Sequence, residues 1–186
     1  WYSWNAVGTT RSPGPAGPIC TQAANSPSYC YTSCAPCGDA PQCDWTTCDD
    51  GVTPSGTGRR NVDGFIPALY DDLERRLCVD VTREYAAGES NGGMMAYQLG
   101  VDLAPRLAAI APQFGSFHRG FNEAPAVGVA VLDLHGTGDT TVPANVSLSS
   151  DGWYYTTTDE IFGGGRYSRG WKRANGCAGP PSHYPT

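Results

Sequence analysis

One short run, from Gly88 to Gly93, constrains the fold of this chain more than any other; it reads Gly-Glu-Ser-Asn-Gly-Gly. It follows a strand-like apolar segment, residues 81–87, and precedes a helix-like one, residues 91–99. The pattern G-x-S-x-G between a strand and a helix is typical of a nucleophile elbow. The helix N-terminus there favours a developing negative charge. The run predicts that Ser90 is a nucleophile. We expect that the glycines on both sides of it are required because larger side chains would collide in the turn.

The motif alone is weakly specific, because a chain with 24 glycines can form it by chance. The alternative is a glycine-rich turn that contains an ordinary serine. The flanking residues favour the elbow, since Val81 and Tyr85 suit a buried strand, whereas Met94 and Leu99 suit a helix packed over a sheet.

Length and charge limit the class of protein. A chain of 186 residues normally forms one domain, so residues 1–186 are interpreted as a single domain. The net charge of −6 argues against nucleic acid as a partner. The sequence contains no apolar run long enough to cross a membrane. Its first residues do not resemble a signal peptide, so we expect a mature, processed or incomplete chain.

Six of the eight cysteines lie between Cys20 and Cys48, in a stretch rich in Pro, Ser, Gly and Thr. The C-x2-C and C-x4-C spacings would allow a zinc site. The even count and the lack of histidine in the cluster favour disulfides instead, and hence a cross-linked insert over residues 20–48. Disulfides imply an oxidising compartment, so we expect a secreted protein. Asn145 begins an Asn-Val-Ser sequon and is a candidate glycosylation site.

Helical and strand-like segments alternate after residue 60. A helix is expected from an N-cap at Asp63, through apolar residues at helical spacing, to about Cys78. The segments that follow the elbow helix are a strand, a loop, a second strand and a helix, at residues 106–111, 114–126, 127–134 and 167–174. This alternation predicts an α/β fold with a mainly parallel sheet covered by helices.

A serine nucleophile needs a base and an acid that orients the base. Asp139 is the candidate acid, because it follows the strand at 127–134 and reactive groups lie at the carboxyl ends of such strands. The alternative is an ordinary turn aspartate, and Asp133 is less suited because it lies within the strand.

The base is harder to assign among the three histidines. His118 precedes the acid, and His135 is expected to shape the acid's own loop. His183 is the one histidine in the sequence that follows Asp139, but it lies three residues from the end, a poor place for a catalytic base.

Several of these stretches together resemble the secreted α/β-hydrolases of the polyhydroxybutyrate-depolymerase-like and feruloyl-esterase-like family. The matching segments are residues 3–6, 61–66, 78–80, 88–97, 134–143 and 171–177. The resemblance implies a partial α/β-hydrolase fold with a Cys-rich, disulfide-stapled N-terminal loop region. It also implies that strands before the elbow and a histidine segment after residue 177 are missing. We therefore expect a fragment that is inactive alone.

The resemblance implies a secreted serine esterase with Ser90 as nucleophile, Asp139 as acid and the backbone N–H of Asn91 as an oxyanion donor. The histidine is expected outside this chain, and no metal or organic cofactor is required. The implied substrates are feruloyl, acetyl or polyester-type esters, some linked to carbohydrate. Two alternatives remain open: a non-catalytic extracellular module with an assembly partner, and a peptidase of the same fold.

Overall fold

A computed structural model of the chain describes residue 4 and residues 65–118, 124–150, 155–163 and 170–178. The elements in these ranges are α1 (Ile66–Arg76), β1 (Tyr85–Glu89), α2 (Asn91–Asp102), β2 (Ala109–Gln113), β3 (Ala130–Val131), α3 (Thr158–Phe162) and α4 (Trp171–Ala174). The expected α/β alternation is confirmed in the described residues. The Cys-rich insert at 20–48, Asp63 and His183 lie outside them.

The three described strands form one parallel sheet in the order β1-β2-β3. Tyr85 pairs with Ala109 at the start of β1, and Glu89 pairs with Gln113 at its end. Parallel hydrogen bonds continue beyond β3 as far as Leu134, whose N–H donates to the Pro112 carbonyl at 3.1 Å. The parallel sheet predicted from the sequence is therefore confirmed for this part of the chain.

Helix α2 lies at the centre of the core. Its buried residues run from Gly93 to Gly100, so the helix is covered on most of its circumference. Tyr97 is fully buried, with its ring centroid 5.1 Å from that of Phe117 and 5.5 Å from that of Trp171. These ring contacts connect the helix to the loop after β2 and to α4, and so fix the helix that begins beside Ser90.

Several element boundaries differ from their predicted places, two of them because of local hydrogen bonds. Strand β1 begins at Tyr85 rather than at 81, because the Asp80 carboxylate accepts hydrogen bonds from the N–H and the hydroxyl of Thr82 and forms a turn there. Strand β2 begins after residue 106 because the Arg106 N–H closes a turn on the Leu103 carbonyl. Helix α1 begins at Ile66, with Phe65 as its N-cap.

The apolar face expected for α1 is less covered than the spacing predicts. Ile66 is its one buried residue, whereas Leu69 and Leu73 are each more than one third exposed in the described part of the molecule. The helix is also held by ion pairs, since the Arg106 guanidinium contacts carboxylates of α1 and lies 4.9 Å above the centre of the Tyr70 ring.

Helix α3 was not expected from the sequence. Its signal is a capping box, in which the Thr157 hydroxyl accepts from the Glu160 N–H and the Glu160 carboxylate accepts from the Thr157 N–H. The pattern T-x-x-E at residues 157–160 would have located this short helix.

A matched pair of alanine substitutions tests the packing around α2. A Cβ at Gly93 would lie 2.6 Å from the Gln113 carbonyl oxygen, whereas a Cβ at Gly92 would meet nothing within 4 Å. We expect Gly93→Ala to lower the free energy of unfolding by about 2 kcal/mol. Gly92→Ala should raise it by roughly 0.5 kcal/mol through helix propensity. Urea denaturation of both variants measures the difference, and equal values would contradict the packing described.

Candidate active site

Ser90 occupies the sharp bend between β1 and α2. Its backbone has φ 52° and ψ −119°, a strained conformation for a residue with a side chain. Its N–H donates to the Gln113 carbonyl at 3.0 Å, and its carbonyl accepts from the Met94 N–H at 2.9 Å. The residue itself is exposed. The bend thus holds an accessible hydroxyl at the start of a buried helix.

The steric need for glycine around Ser90 is confirmed at one predicted position and not at the other. A Cβ at Gly88 would lie 2.5 Å from the backbone carbon of Gly92, so the expectation for that flank is confirmed. The expectation for Gly92 is wrong, because a Cβ there would lie in open space. The close approach occurs one residue later, where the backbones of Gly93 and Gly115 pack against each other.

Asn91 is the first residue of α2, where a backbone N–H has no acceptor within the helix. Its side chain holds a distant part of the chain. The Asn91 Oδ1 accepts from the Trp4 N–H at 2.5 Å, and its Nδ2 donates to the Trp4 carbonyl at 3.2 Å. These two bonds place the backbone of Trp4 beside the elbow, a contact that sequence reasoning missed because it joins residues 87 positions apart.

Asp139 lies in the loop that follows the β3 ladder. Its Oδ1 accepts from the N–H groups of Thr141 at 2.9 Å and Val142 at 3.0 Å, and its own N–H donates to the Gly136 carbonyl at 3.2 Å. A turn aspartate makes such bonds, and they also fix the orientation of the carboxylate. The side chain is partly exposed.

His135 closes the same loop. Its Nε2 lies 2.6 Å from the Val142 carbonyl oxygen, so this nitrogen carries the proton and donates it. The sequence-based expectation that His135 shapes the loop of the acid agrees with this bond. The bond joins the two ends of the segment 135–142, which contains Asp139.

The order of the strands sets the separation between the two candidate residues. Strands β1 and β3 each pair with β2, so they lie on opposite sides of it. Neighbouring strands are roughly 4.8 Å apart, so the strand ends that lead to Ser90 and Asp139 are separated by roughly 10 Å. The two candidate residues therefore follow strands on either side of β2, with Asp139 five residues beyond Leu134, the last residue paired with β2.

Asp133, the less favoured acid, faces the core instead. Its Oδ1 accepts from the buried Tyr97 hydroxyl at 3.1 Å. Burial raises the pKa of the Asp133 carboxyl, and the Tyr97 hydrogen bond and nearby His135 oppose that rise. Burial also raises the pKa of Tyr97 above its usual range, and the Asp133 charge adds to the effect. This pair joins α2 to the β3 ladder.

His118 is a core residue. It is 3% exposed, and its ring centroid lies 4.8 Å from that of Tyr155. Burial lowers the pKa of His118 to about 3. An imidazole with so low a pKa is a poor general base near neutral pH.

The buried His118 predicts a loss of stability in acid. Its folded pKa lies below the unfolded value, so the unfolded chain binds more protons between about pH 6.5 and pH 3. The contribution of His118 to the free energy of unfolding is fully present above this window and is lost as the pH falls through it. We expect a loss of about 3 kcal/mol at pH 4 from this residue. Urea denaturation at several pH values gives the free energy of unfolding as a function of pH. Between about pH 6.5 and pH 3 this free energy should change less steeply with pH in His118→Leu than in wild type. Identical slopes would refute the low pKa assigned to His118.

Asn145 is exposed, as a glycan acceptor must be. Cys78 and Cys177 are exposed free thiols. Among the described residues, no three side chains of His, Cys, Asp or Glu form a group that could hold a metal ion. No helix in these residues is long and apolar enough to span a membrane.

Comparison with known proteins adds a family context to this geometry. A scan of family models gave no match. The chain is 30% identical over 146 residues to a protein of Aspergillus niger named probable feruloyl esterase C. It is 33% identical over 121 residues to feruloyl esterase B of Piromyces equi, and 32% identical over 114 residues to feruloyl esterase C of Emericella nidulans.

These matches cover 70%, 63% and 54% of this chain. The chain spans about half of the Aspergillus niger protein, 53%, and smaller shares of the other two, 22% and 42%. The similarity supports a relationship to feruloyl-esterase-like hydrolases. This agrees with the feruloyl-esterase part of the resemblance noted in the sequence. The polyhydroxybutyrate-depolymerase side remains a prediction.

Proposed function

We propose that this chain carries the nucleophile and the acid of a serine carboxyl-ester hydrolase. The observation that supports this most is Ser90, an exposed serine with φ 52° at the junction of a parallel strand and a buried helix. Strained residues of this kind cluster at active sites. Three relatives at about 30% identity carry the name feruloyl esterase, which supports the same class of reaction.

In the proposed mechanism, the Ser90 hydroxyl attacks the ester carbonyl while an imidazole accepts its proton. Asp139 holds this imidazole in the required tautomer and stabilises its charge. The backbone N–H of Asn91 donates to the developing oxyanion, an interaction of about 3 kcal/mol per donor. The imidazole then protonates the alcohol that leaves, and water releases the acid from the acyl-serine.

The base is proposed to be a histidine beyond the described residues. His118 is buried and His135 is bonded to Val142, so the geometry of the two described histidines favours neither. His183 is the one histidine after Asp139 in the sequence printed here. A histidine outside these 186 residues is the alternative that we favour.

The substrate is proposed to be an ester of an aromatic, acetyl or polyester acid, with feruloyl esters favoured by the names of the relatives. The proposal requires neither a metal nor an organic cofactor, because all charges in the reaction are met by side chains and backbone N–H groups. Secretion, with a glycan on the exposed Asn145, would suit a substrate in plant cell walls.

Hydrolysis assays on the complete natural protein test this proposal. Feruloyl, acetyl and polyester substrates would be compared with a peptide of similar size. We expect turnover of at least one ester and none of the peptide. If the protein unfolds cooperatively, and is therefore folded, but hydrolyses none of the esters, the result would favour the alternative of a non-catalytic extracellular module.

A further inference from the structure

Two non-glycine residues in the described part of the chain have a positive φ: Ser90 at 52° and Phe114 at 36°. They follow directly after the ends of neighbouring strands β1 and β2. The Ser90 N–H donates to the carbonyl of Gln113, the residue before Phe114, at 3.0 Å. The two strained residues are therefore neighbours at the carboxyl edge of the sheet.

The backbone around Phe114 is fixed on both sides. Its N–H donates to the Leu134 carbonyl at 2.7 Å. The next residue, Gly115, packs so closely on α2 that a Cβ there would lie 2.5 Å from the Gly93 backbone carbon. A positive φ is unfavourable for a bulky residue and free of cost for glycine. An aromatic side chain is thus kept where glycine would fit with less strain.

The hydrophobic core formed by the described residues does not include this side chain. Phe114 is partly buried, and it is absent from the described residues that form the hydrophobic core or pack against it. Phe117, three residues later, is 1% exposed and supplies the aromatic ring of this loop to the core. A residue that is strained, aromatic and outside the core, next to an exposed nucleophile, points to contact with a ligand.

We propose that Phe114 is a specificity-determining residue whose ring packs against the acyl group of an ester bound at Ser90. The inference rests on the proposed esterase function and extends it to the choice of acyl group. Aromatic rings prefer offset or edge-to-face contact with other rings, so the position favours aromatic acyl groups over acetyl.

The test compares 4-nitrophenyl ferulate with 4-nitrophenyl acetate, two esters that differ in the acyl group alone. The ratio of kcat/KM for ferulate to that for acetate is measured in the complete protein for wild type, Phe114→Gly and Phe114→Tyr. We expect the ratio to fall about five- to tenfold in Phe114→Gly, mainly through a higher KM for ferulate. Phe114→Tyr retains a ring and should retain most of the ratio.

Two controls separate a role in specificity from a role in structure. Tyr85→Ala removes an exposed aromatic ring at the opposite end of β1 and should leave the ratio unchanged. The thermal midpoint of Phe114→Gly is measured alongside, because relief of the strained backbone opposes the loss of a partly buried ring. An unchanged ratio in Phe114→Gly, or equal losses on both esters together with a lower midpoint, would overturn the inference.

Failure of the underlying function has a different signature. If Ser90→Ala retains the activity of wild type, the esterase proposal itself fails. If wild type hydrolyses the acetate and not the ferulate, and Ser90→Ala is inactive, the role of Phe114 is refuted while the nucleophile stands.

Discussion

Replacement of Ser90 with alanine is expected to lower kcat for ester hydrolysis by about 10⁴-fold or more in the complete protein. The hydroxyl oxygen forms the bond to the acyl group, and alanine offers no atom in its place. Alanine should be tolerated structurally, because the backbone bonds to Gln113 and Met94 do not involve the side chain. Steady-state kinetics on 4-nitrophenyl acetate measure the loss.

Ser90→Gly is the matched control for this prediction. Glycine also lacks the hydroxyl, yet it relieves the strain of φ 52°. It should be as inactive as alanine and more stable than the alanine variant by about 1 kcal/mol. A glycine variant that is inactive but also poorly folded would contradict the view that the serine is kept for chemistry at a cost in stability.

Replacement of Asp139 with asparagine has the second largest expected effect, a fall in kcat of about 10⁴-fold. The amide oxygen can still accept from the N–H groups of Thr141 and Val142, so the loop should keep its shape. The negative charge that holds and stabilises the imidazole is lost. The measurement is kcat at neutral pH, with far-UV circular dichroism to check the fold.

Asp133→Asn serves as the control for the acid. Its amide oxygen can still accept from the Tyr97 hydroxyl, which keeps the link between α2 and the β3 ladder. We expect kcat to stay within about threefold of wild type, since this carboxyl is turned to the core. A large loss in Asp133→Asn with near-normal activity in Asp139→Asn would reverse the assignment of the acid.

The local part of this site could be predicted from the sequence. A serine between glycines, after an apolar segment and before a helical one, is typical of a strand, a sharp turn and a helix, and the close approach of Gly88 to Gly92 is a short-range contact of such a turn. Asp139 as the acid stays a prediction; it rests on the position of the residue after an apolar strand, and that strand lies in the same parallel sheet as β1, on the other side of β2.

Other features depend on contacts that a linear pattern does not contain. The bonds between Asn91 and Trp4 join distant segments, and nothing in either residue type specifies the partner. The φ of Phe114 results from its place between the Leu134 carbonyl and the close packing of Gly115 on Gly93. The error at Gly92 has the same origin, since the sequence shows which residues are small and not which backbones meet.

Covalent labelling of Ser90 is the most direct test of a nucleophile in this bend. The complete protein would be incubated with a fluorophosphonate, which phosphonylates an activated serine, and its peptides analysed by mass spectrometry. We expect one adduct, on the peptide that contains Ser90, and no labelling after urea denaturation. Protein that hydrolyses esters but carries its adduct on a different residue would contradict the account.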